Sequence, residues 1–511
     1  MSALVEGAVA LPASLGQQRL WFLDQVEPGT GRYNMGIALR IPHELDLDAL
    51  RRALDELAAR HEPLRTVFAD VNGEAAQVIH PPAPVDLPTR DLAALPEPER
   101  AAEARRGLEY EAQRPYDLAR GPLFRPHLVR LGASDHVLAL NLHHAAADEH
   151  ALNVLVRETE ALYTAFAAGL PSPLGEPPVQ YADFALWQRE MLEDGEMDRQ
   201  LAWWTERMRG TSGVLDLPTD RTRPAQPAWR GASHSFHLPD GVRAPLAELA
   251  RREGATMFMV LLALTQLLLA RMSGDEDVVV GTPVGGRTPE TEGTVGFFVN
   301  TLPLRTDVGG NPSFRELVRR ARDTAVGALA HPDLPLERLV EALPLERDPS
   351  RFPLFQVMFV FGPDAPPADG AAGWTRVPVE LHTARYDLTL VMRDSGHGLR
   401  GVIDYATDLF DESTVARIGG RMRALAAAVA ARPDAPAWDA PLLPEDEDRR
   451  IHSWSGADAG PRADAALLIF REKRRVPRRG IGARGDGGGE RAHPPADPGD
   501  GGLVEKVRGV V

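Results

Sequence analysis

Apolar and polar positions along the chain switch repeatedly between a two-residue period and a near-four-residue one. YNMGIALRI (33–41) is rich in apolar and β-branched residues and predicts a strand. LDLDALRRALDELAARH (45–61) brings Leu50, Leu54 and Leu57 onto one helical stripe. RTVFADVNGEAAQVI predicts a hairpin turning at Asn72-Gly73, because that pair tolerates the positive φ of a tight turn. LFRPHLVRL and HVLALNLHH predict two further strands. DEHALNVLVRETEALYTAF then predicts a long amphipathic helix with Leu152, Leu155, Leu162 and Phe166 near one face.

A Pro-rich loop, GLPSPLGEPPVQ, and the aromatic segment YADFALWQREML follow. The Pro-rich connection Leu215 to Gly231 is a candidate boundary between two halves. Beyond it the alternation resumes. ATMFMVLLALTQLLLARMSG is apolar all round and predicts a buried helix. DVVVGTPVGGR predicts a strand running into a Gly-rich turn. NPSFRELVRRARDTAVGALAH predicts an amphipathic helix, with Asn311 as its candidate cap. The pattern changes after about Pro444. The basic, Gly- and Pro-rich stretch from Arg471 to Gly502 has no hydrophobic period and is expected to lack order from about residue 461.

Composition narrows the picture. A length of 511 residues exceeds one ordinary core and suggests two domains of roughly 200 residues each. The net charge of −16 argues against nucleic acid as partner, since phosphate contacts need clustered Lys and Arg. Without any cysteine there is no disulfide, thiolate zinc site or cysteine nucleophile. No apolar run approaches the ~20 residues of a membrane span, and the first residues lack the features of a signal peptide, so a cytoplasmic protein without a membrane partner is expected.

The candidate chemistry lies in VLALNLHHAAADEHALNVLVRE, where a strand pattern runs into a helix pattern. Adjacent strand residues point to opposite faces, so His143 and His144 do not enter one small pocket together and one of them is structural. Asp148 is placed to cap the helix, and Glu149 in the first turn suits the helix dipole. That is one reading. A metal site is disfavoured, because His144 falls on the strand side and His150 on the helix side, without the i, i+4 spacing of a helical zinc motif. The third reading is a general base: an imidazole at a strand end, neutral near pH 7, held by a second group between two domains. A buried Asp148 would then require a cationic partner.

The chain resembles the condensation domains of nonribosomal peptide synthetases through a series of motifs in order. SLGQQRLWFLDQVEP (14–28) and RHEPLRTVF (60–68) resemble the first two. HHAAADE (143–149) resembles the HHxxxDG motif. YADFALWQ, VGFFVNTLPLR, HPDLPLERLVEAL and RYDLTL complete the set, which covers residues 11–447. The resemblance implies an α/β fold of two chloramphenicol-acetyltransferase-like lobes, a V-shaped pseudo-dimer with a central tunnel. The lobes are expected at 11–190 and 191–447, with a linker and tail at 448–511. It implies donor and acceptor peptidyl carrier proteins as partners, an adjoining adenylation domain, substrates tethered to phosphopantetheine, and no permanently bound cofactor or metal. The expected chemistry is attack of an acceptor amine on a donor thioester. By the same resemblance His144 is the catalytic histidine, His143 and Asp148 support it, and Arg65 is the partner of Asp148. Asn300 and Thr301 are candidates to line the tunnel and contact substrate or to brace the crossover, while Arg19, Trp21, Tyr181, Asp183, Trp187 and Asp387 are expected to be scaffold. The stretch from Leu442 to Gly456 resembles the junction with an adenylation domain, although no recognisable adenylation sequence follows it.

The departure from the motif is Glu149, where the family has Gly. Three readings stand: a tolerated helix-start residue, a decayed site serving only to dock carriers, or a second proton-transfer group beside His144. The third would suit β-elimination of water from a seryl or threonyl residue to dehydroalanine or dehydrobutyrine, as in a known subgroup that the Glu resembles. Rival classes are a coenzyme A acyltransferase of the same superfamily and an epimerization domain. The first shares only HxxxD, and the second differs in its other motifs.

Overall fold

A computed structural model describes residues 7–449, apart from 72, 194, 347, 365–372 and 445–446. The tail expected to lack order lies outside the described residues. The first lobe opens with strand β1 (Val9–Pro12), helix α1 (Leu15–Val26), β2 (Asn34–Ile41) and α2 (Leu47–Arg60). The hairpin β3 (Thr66–Val71) and β4 (Glu74–Ile79) follows, then β5 (Thr89–Asp91) and α3 (Glu99–Gln113). Strands β6 (Phe124–Gly132) and β7 (Asp135–His143) lead into α4 (Glu149–Ala167) and α5 (Tyr181–Glu193).

Strong local signals placed these elements. Asp46 caps α2 by accepting from the Asp48 and Ala49 N–H groups, and Leu50, Leu54 and Leu57 are fully buried. They pack with Leu138, Leu140 and Leu142 of β7 and with Leu155 and Leu162 of α4. Gly73, at φ 87°, supplies the positive φ of the β3–β4 turn.

The second lobe contains α6 (Glu196–Met208), β8 (Gly231–Pro239), α7 (Asp240–Arg252), α8 (Met257–Ser273), β9 (Asp277–Gly285) and β10 (Val299–Asp307). It continues through α9 (Phe314–Leu329), α10 (Leu336–Ala342), β11 (Val357–Pro363) and β12 (Thr375–Val377). It ends with β13 (Leu388–Asp394), β14 (Gly398–Ala406) and α11 (Glu412–Ala431). Helix α8 is buried all round, as its composition requires, and lies against a six-stranded sheet in the order β10-β9-β11-β13-β14-β8.

Two local expectations change. Asn311 does not cap α9. It takes a positive φ of 49° and accepts from the Trp438 N–H, while Ser313 accepts from Glu316 N–H as the cap. The Pro-rich stretch Leu215–Gly231 is not the lobe boundary either, because Met197, Trp204 and Met208 of α6 already pack in the second lobe's core. Proline content marked a connection within the second lobe, whose Leu215 and Leu217 also join that core.

The second lobe lends chain to the first at two places. β12 joins the first lobe's five-stranded sheet, in the order β12-β2-β7-β6-β5, pairing antiparallel with β2. The segment between β9 and β10 also crosses over, burying Val295 in the first lobe's core. Gly296 makes that crossing possible: a Cβ there would lie 2.1 Å from the Tyr181 ring. The second crossing segment brings the far lobe to the histidine motif.

Candidate active site

Strand β7 ends at His143, and the chain turns through Ala145–Ala147 before α4 begins. Backbone bonds close this turn. The Ala146 N–H donates to the His143 carbonyl at 2.9 Å, and the His144 N–H donates to the Tyr33 carbonyl at 2.9 Å. Gln17 braces it from α1, its amide donating to the Ala145 carbonyl at 3.1 Å.

The two imidazoles have different settings. His143 is 5% exposed and meets the edges of Tyr33 and Tyr116. Its Nδ1 accepts the Ala145 N–H at 3.1 Å, which leaves the ring proton on Nε2. His144 is only partly buried. Its Nδ1 lies 2.8 Å from the Ala147 carbonyl, and a carbonyl only accepts. Nδ1 therefore carries the proton and Nε2 keeps a lone pair. The ring stands edge-on to Phe297 of the crossing segment, with centroids 4.9 Å apart, so it sits where the lobes meet. Burial, then the nearby Arg385 guanidinium, pushes His144 down to about 3. Burial, Arg385 and Arg125 do the same to His143, also to about 3.

Asp148 is 1% exposed and caps α4, accepting from the Ala151 N–H at 2.8 Å. Its other oxygen binds Arg287 Nη1 at 2.5 Å and accepts the Phe298 N–H at 3.1 Å. Arg287, not the expected Arg65, is the partner; it follows β9, and its guanidinium carbon lies over the Phe298 ring, 4.2 Å from the centroid. Arg65 instead donates to the His80 carbonyl and stands 3.8 Å from Glu62, bracing the β3–β4 hairpin. The buried carboxylate demanded a cation, and the second lobe supplies it.

Glu149 has a side chain 73% exposed, and its Oε1 lies 3.1 Å from Arg393 Nη2 on β13. Asn300 is a brace: its amide donates to the Pro332 and Leu334 carbonyls at 2.7 and 2.8 Å, and its oxygen accepts the Thr301 N–H. Tyr181 is fully buried and donates to the Phe297 carbonyl at 2.7 Å, while Ser14 Oγ lies 2.7 Å from the same phenol oxygen. Asp387 is held by both arms of Arg223. Arg19 of α1 bridges the lobes to Glu337 of α10 at 2.8 Å. Arg287, Phe297 and Gln17 escaped the sequence reading. The only signal for Arg287 was an Arg closing a Gly-rich turn, and nothing local says that it reaches a carboxylate 139 positions away.

Beside this site the lobes enclose a cavity of about 960 Å³ whose walls include Arg19, Tyr33, Trp229, Glu337 and Phe352. His144 is not on its wall, but Tyr33, which accepts the His144 N–H, is. Neither Asn300 nor Thr301 lines it. Among the described residues, no three His, Asp or Glu side chains gather as metal ligands, and no single helix is long and apolar enough to cross a membrane.

Two α/β lobes joined by crossing chain, with an imidazole held at their contact, are the arrangement expected of a condensation domain. Residues 8–452 match the Condensation domain family model, and the chain belongs to that family. It is 44% identical over 446 residues, 86% of this chain, to a linear gramicidin synthase of Brevibacillus parabrevis. It is 43% identical over 450 residues, also 86% of this chain, to phosphinothricin tripeptide synthetase PhsC of Streptomyces viridochromogenes. The chain spans only 9% and 41% of those two relatives' lengths. Among solved structures it is similar to the X-domain in its complex with OxyB from teicoplanin biosynthesis, with a TM-score of 0.79 and 30% identity. That match covers 85% of this chain and 96% of the other. A four-domain nonribosomal peptide synthetase bound to AMP and glycine shares the fold at a TM-score of 0.77 and 23% identity, covering 88% of this chain and 35% of that one. The expected fold of two chloramphenicol-acetyltransferase-like lobes is thereby met.

Proposed function

We propose that the chain forms a peptide bond between two carrier-bound thioesters, with His144 as the catalytic residue. The observation that carries this reading is the fixed tautomer of His144. Its Nδ1–H is spent on the Ala147 carbonyl, and the bare Nε2 belongs to a ring at the lobe contact. The partners would be a donor and an acceptor peptidyl carrier protein, each presenting its substrate on phosphopantetheine, with an adenylation domain in the same synthetase.

In the step proposed, the lone pair of a neutral acceptor amine attacks the donor thioester carbonyl. Nε2 accepts a hydrogen bond from the amine and so aims its lone pair. As the C–N bond forms and the C–S bond breaks, the amine proton passes through Nε2 to the departing thiolate, so the charges balance. Burial and the Arg385 guanidinium disfavour the imidazolium. His144 therefore orients the amine and relays its proton rather than storing it. His143, Asp148 and Arg287 are positioning residues: they fix the turn and the start of α4 and touch no reacting atom.

The dehydrating variant of this function needs Glu149 as a second proton-transfer group. Its carboxylate is exposed and engaged by Arg393, which favours plain condensation. The test is reconstitution with two loaded carriers and intact-mass detection of the acceptor. Wild type should yield the amide, and His144→Ala should yield at least about a hundredfold less. Equal product from His144→Ala would sink the assignment of His144. No product from wild type with varied donors and acceptors would instead favour a carrier-docking role.

A further inference from the structure

The start of α4 is held at three points to chain that comes from the second lobe, two of them on the segments that cross into the first lobe. Glu149 pairs with Arg393 of β13 at 3.1 Å. His150 Nε2 lies 2.9 Å from the Glu292 carbonyl on the crossing segment, and Asn153 Oδ1 accepts from Arg376 of β12 at 2.5 Å. Residues at i, i+1 and i+4 fall within about 100° of helix surface, so one face makes all three bonds. Asp148, immediately before this turn, adds its buried link to Arg287.

Arg393 reaches Glu149 across bare backbone. Its cross-strand neighbour on β11 is Gly362, and a Cβ there would lie 2.8 Å from Arg393 Nη1. Added and missing bulk thus meet at one spot: a carboxylate where the family motif has Gly, and a Gly beneath the guanidinium that answers it. No residue of α4, β11 or β13 lines the large cavity, so this pair closes a different edge of the lobe contact.

We propose that Glu149 and Arg393 form an ionic strap across the lobes at the α4–β13 edge, which sets how one of the two tethered substrates reaches His144. Glu149 is a positioning residue in this scheme and exchanges no proton with substrate. The inference rests on the condensation reading, but its structural part can be measured without catalysis.

Because the chain has no cysteine, Arg51→Cys and Arg432→Cys give one spin label on each lobe with no competing thiol. Their distance distribution should broaden toward longer values in Glu149→Gly, Arg393→Ala and Gly362→Val, and narrow again in the charge-swapped Glu149→Arg/Arg393→Glu pair. Gly362→Val matters because it crowds the strap while leaving both charges in place: the Cβ it adds meets the end of the Arg393 side chain. In the condensation assay, the same variants should change KM for one carrier by about three- to tenfold and leave KM for the other unchanged, and the swap should undo the change made by either charge variant. An unaltered distance distribution overturns the strap even where the amide still forms. So does an equal change for both carriers, or a kcat loss that the swap does not restore. That last result would return Glu149 to proton transfer.

Discussion

Asp148 and Glu149 are adjacent carboxylates, and each is bound to an arginine of the opposite lobe, yet they do different work. The Asp148–Arg287 side chains are 1% and 7% exposed, and the carboxylate is also saturated by two backbone N–H groups. The Glu149–Arg393 side chains are 73% and 26% exposed, with one contact between them. Removing one partner from the first pair strands a charge in a dry interface. Removing one from the second hands its partner to water, so little stability is lost. Chemical likeness along the chain says little here. Burial decides which carboxylate is structural and which can be replaced without unfolding.

The largest effect is expected at the buried pair. Asp148→Ala removes a helix cap, an ion pair and the acceptor for the Phe298 N–H, and should cost about 3–5 kcal/mol in urea unfolding. A cost below about 1 kcal/mol would erase the contrast with Glu149. Arg287→Ala should be similarly severe, whereas Arg65→Ala should cost about 1 kcal/mol, the worth of its local bond to the His80 carbonyl. Reversal of that order would restore Arg65 as the partner of Asp148.

The motif's buried imidazole adds a pH signature. His143 titrates near 3 in the folded chain against about 6.5 unfolded, so between those values the unfolded chain binds the extra proton. Its contribution is intact above pH ~6.5 and lost as pH falls toward 3, at up to about 1.4 kcal/mol per pH unit. Wild type should therefore lose more stability than His143→Gln between pH 7 and pH 5, as read by unfolding midpoints. Equal losses would place the imidazole in a less costly setting. The smallest effect belongs to the exposed pair: Glu149→Ala should shift unfolding by less than about 1 kcal/mol.

Much of this was legible in the sequence because it depends on local signals. The run HVLALNLHH gave β7, and the helical stripe of Leu152, Leu155 and Leu162 gave α4. Asp148 declared itself a cap by its place before that stripe. What stayed hidden depends on which distant segments the fold brings together. Arg287 and Phe297 arrive on a crossing segment that no local pattern reveals, and of the two readings open for Asn300 the brace holds, with neighbours from the approach to α10. Glu149 was conspicuous as a departure from the motif, but its direction was not. A helix-start residue can face the reaction centre or the solvent, and only the position of Arg393 distinguishes them.

The most direct test follows the acceptor carrier's product by intact mass, using a seryl or threonyl acceptor, with wild type and Glu149→Gly side by side. An amide that retains all of its water is expected from both proteins, with at most a change in how much is made. A wild-type product lacking one water, with Glu149→Gly stopping at the hydrated amide, would contradict the positioning role and make Glu149 a catalytic acid or base.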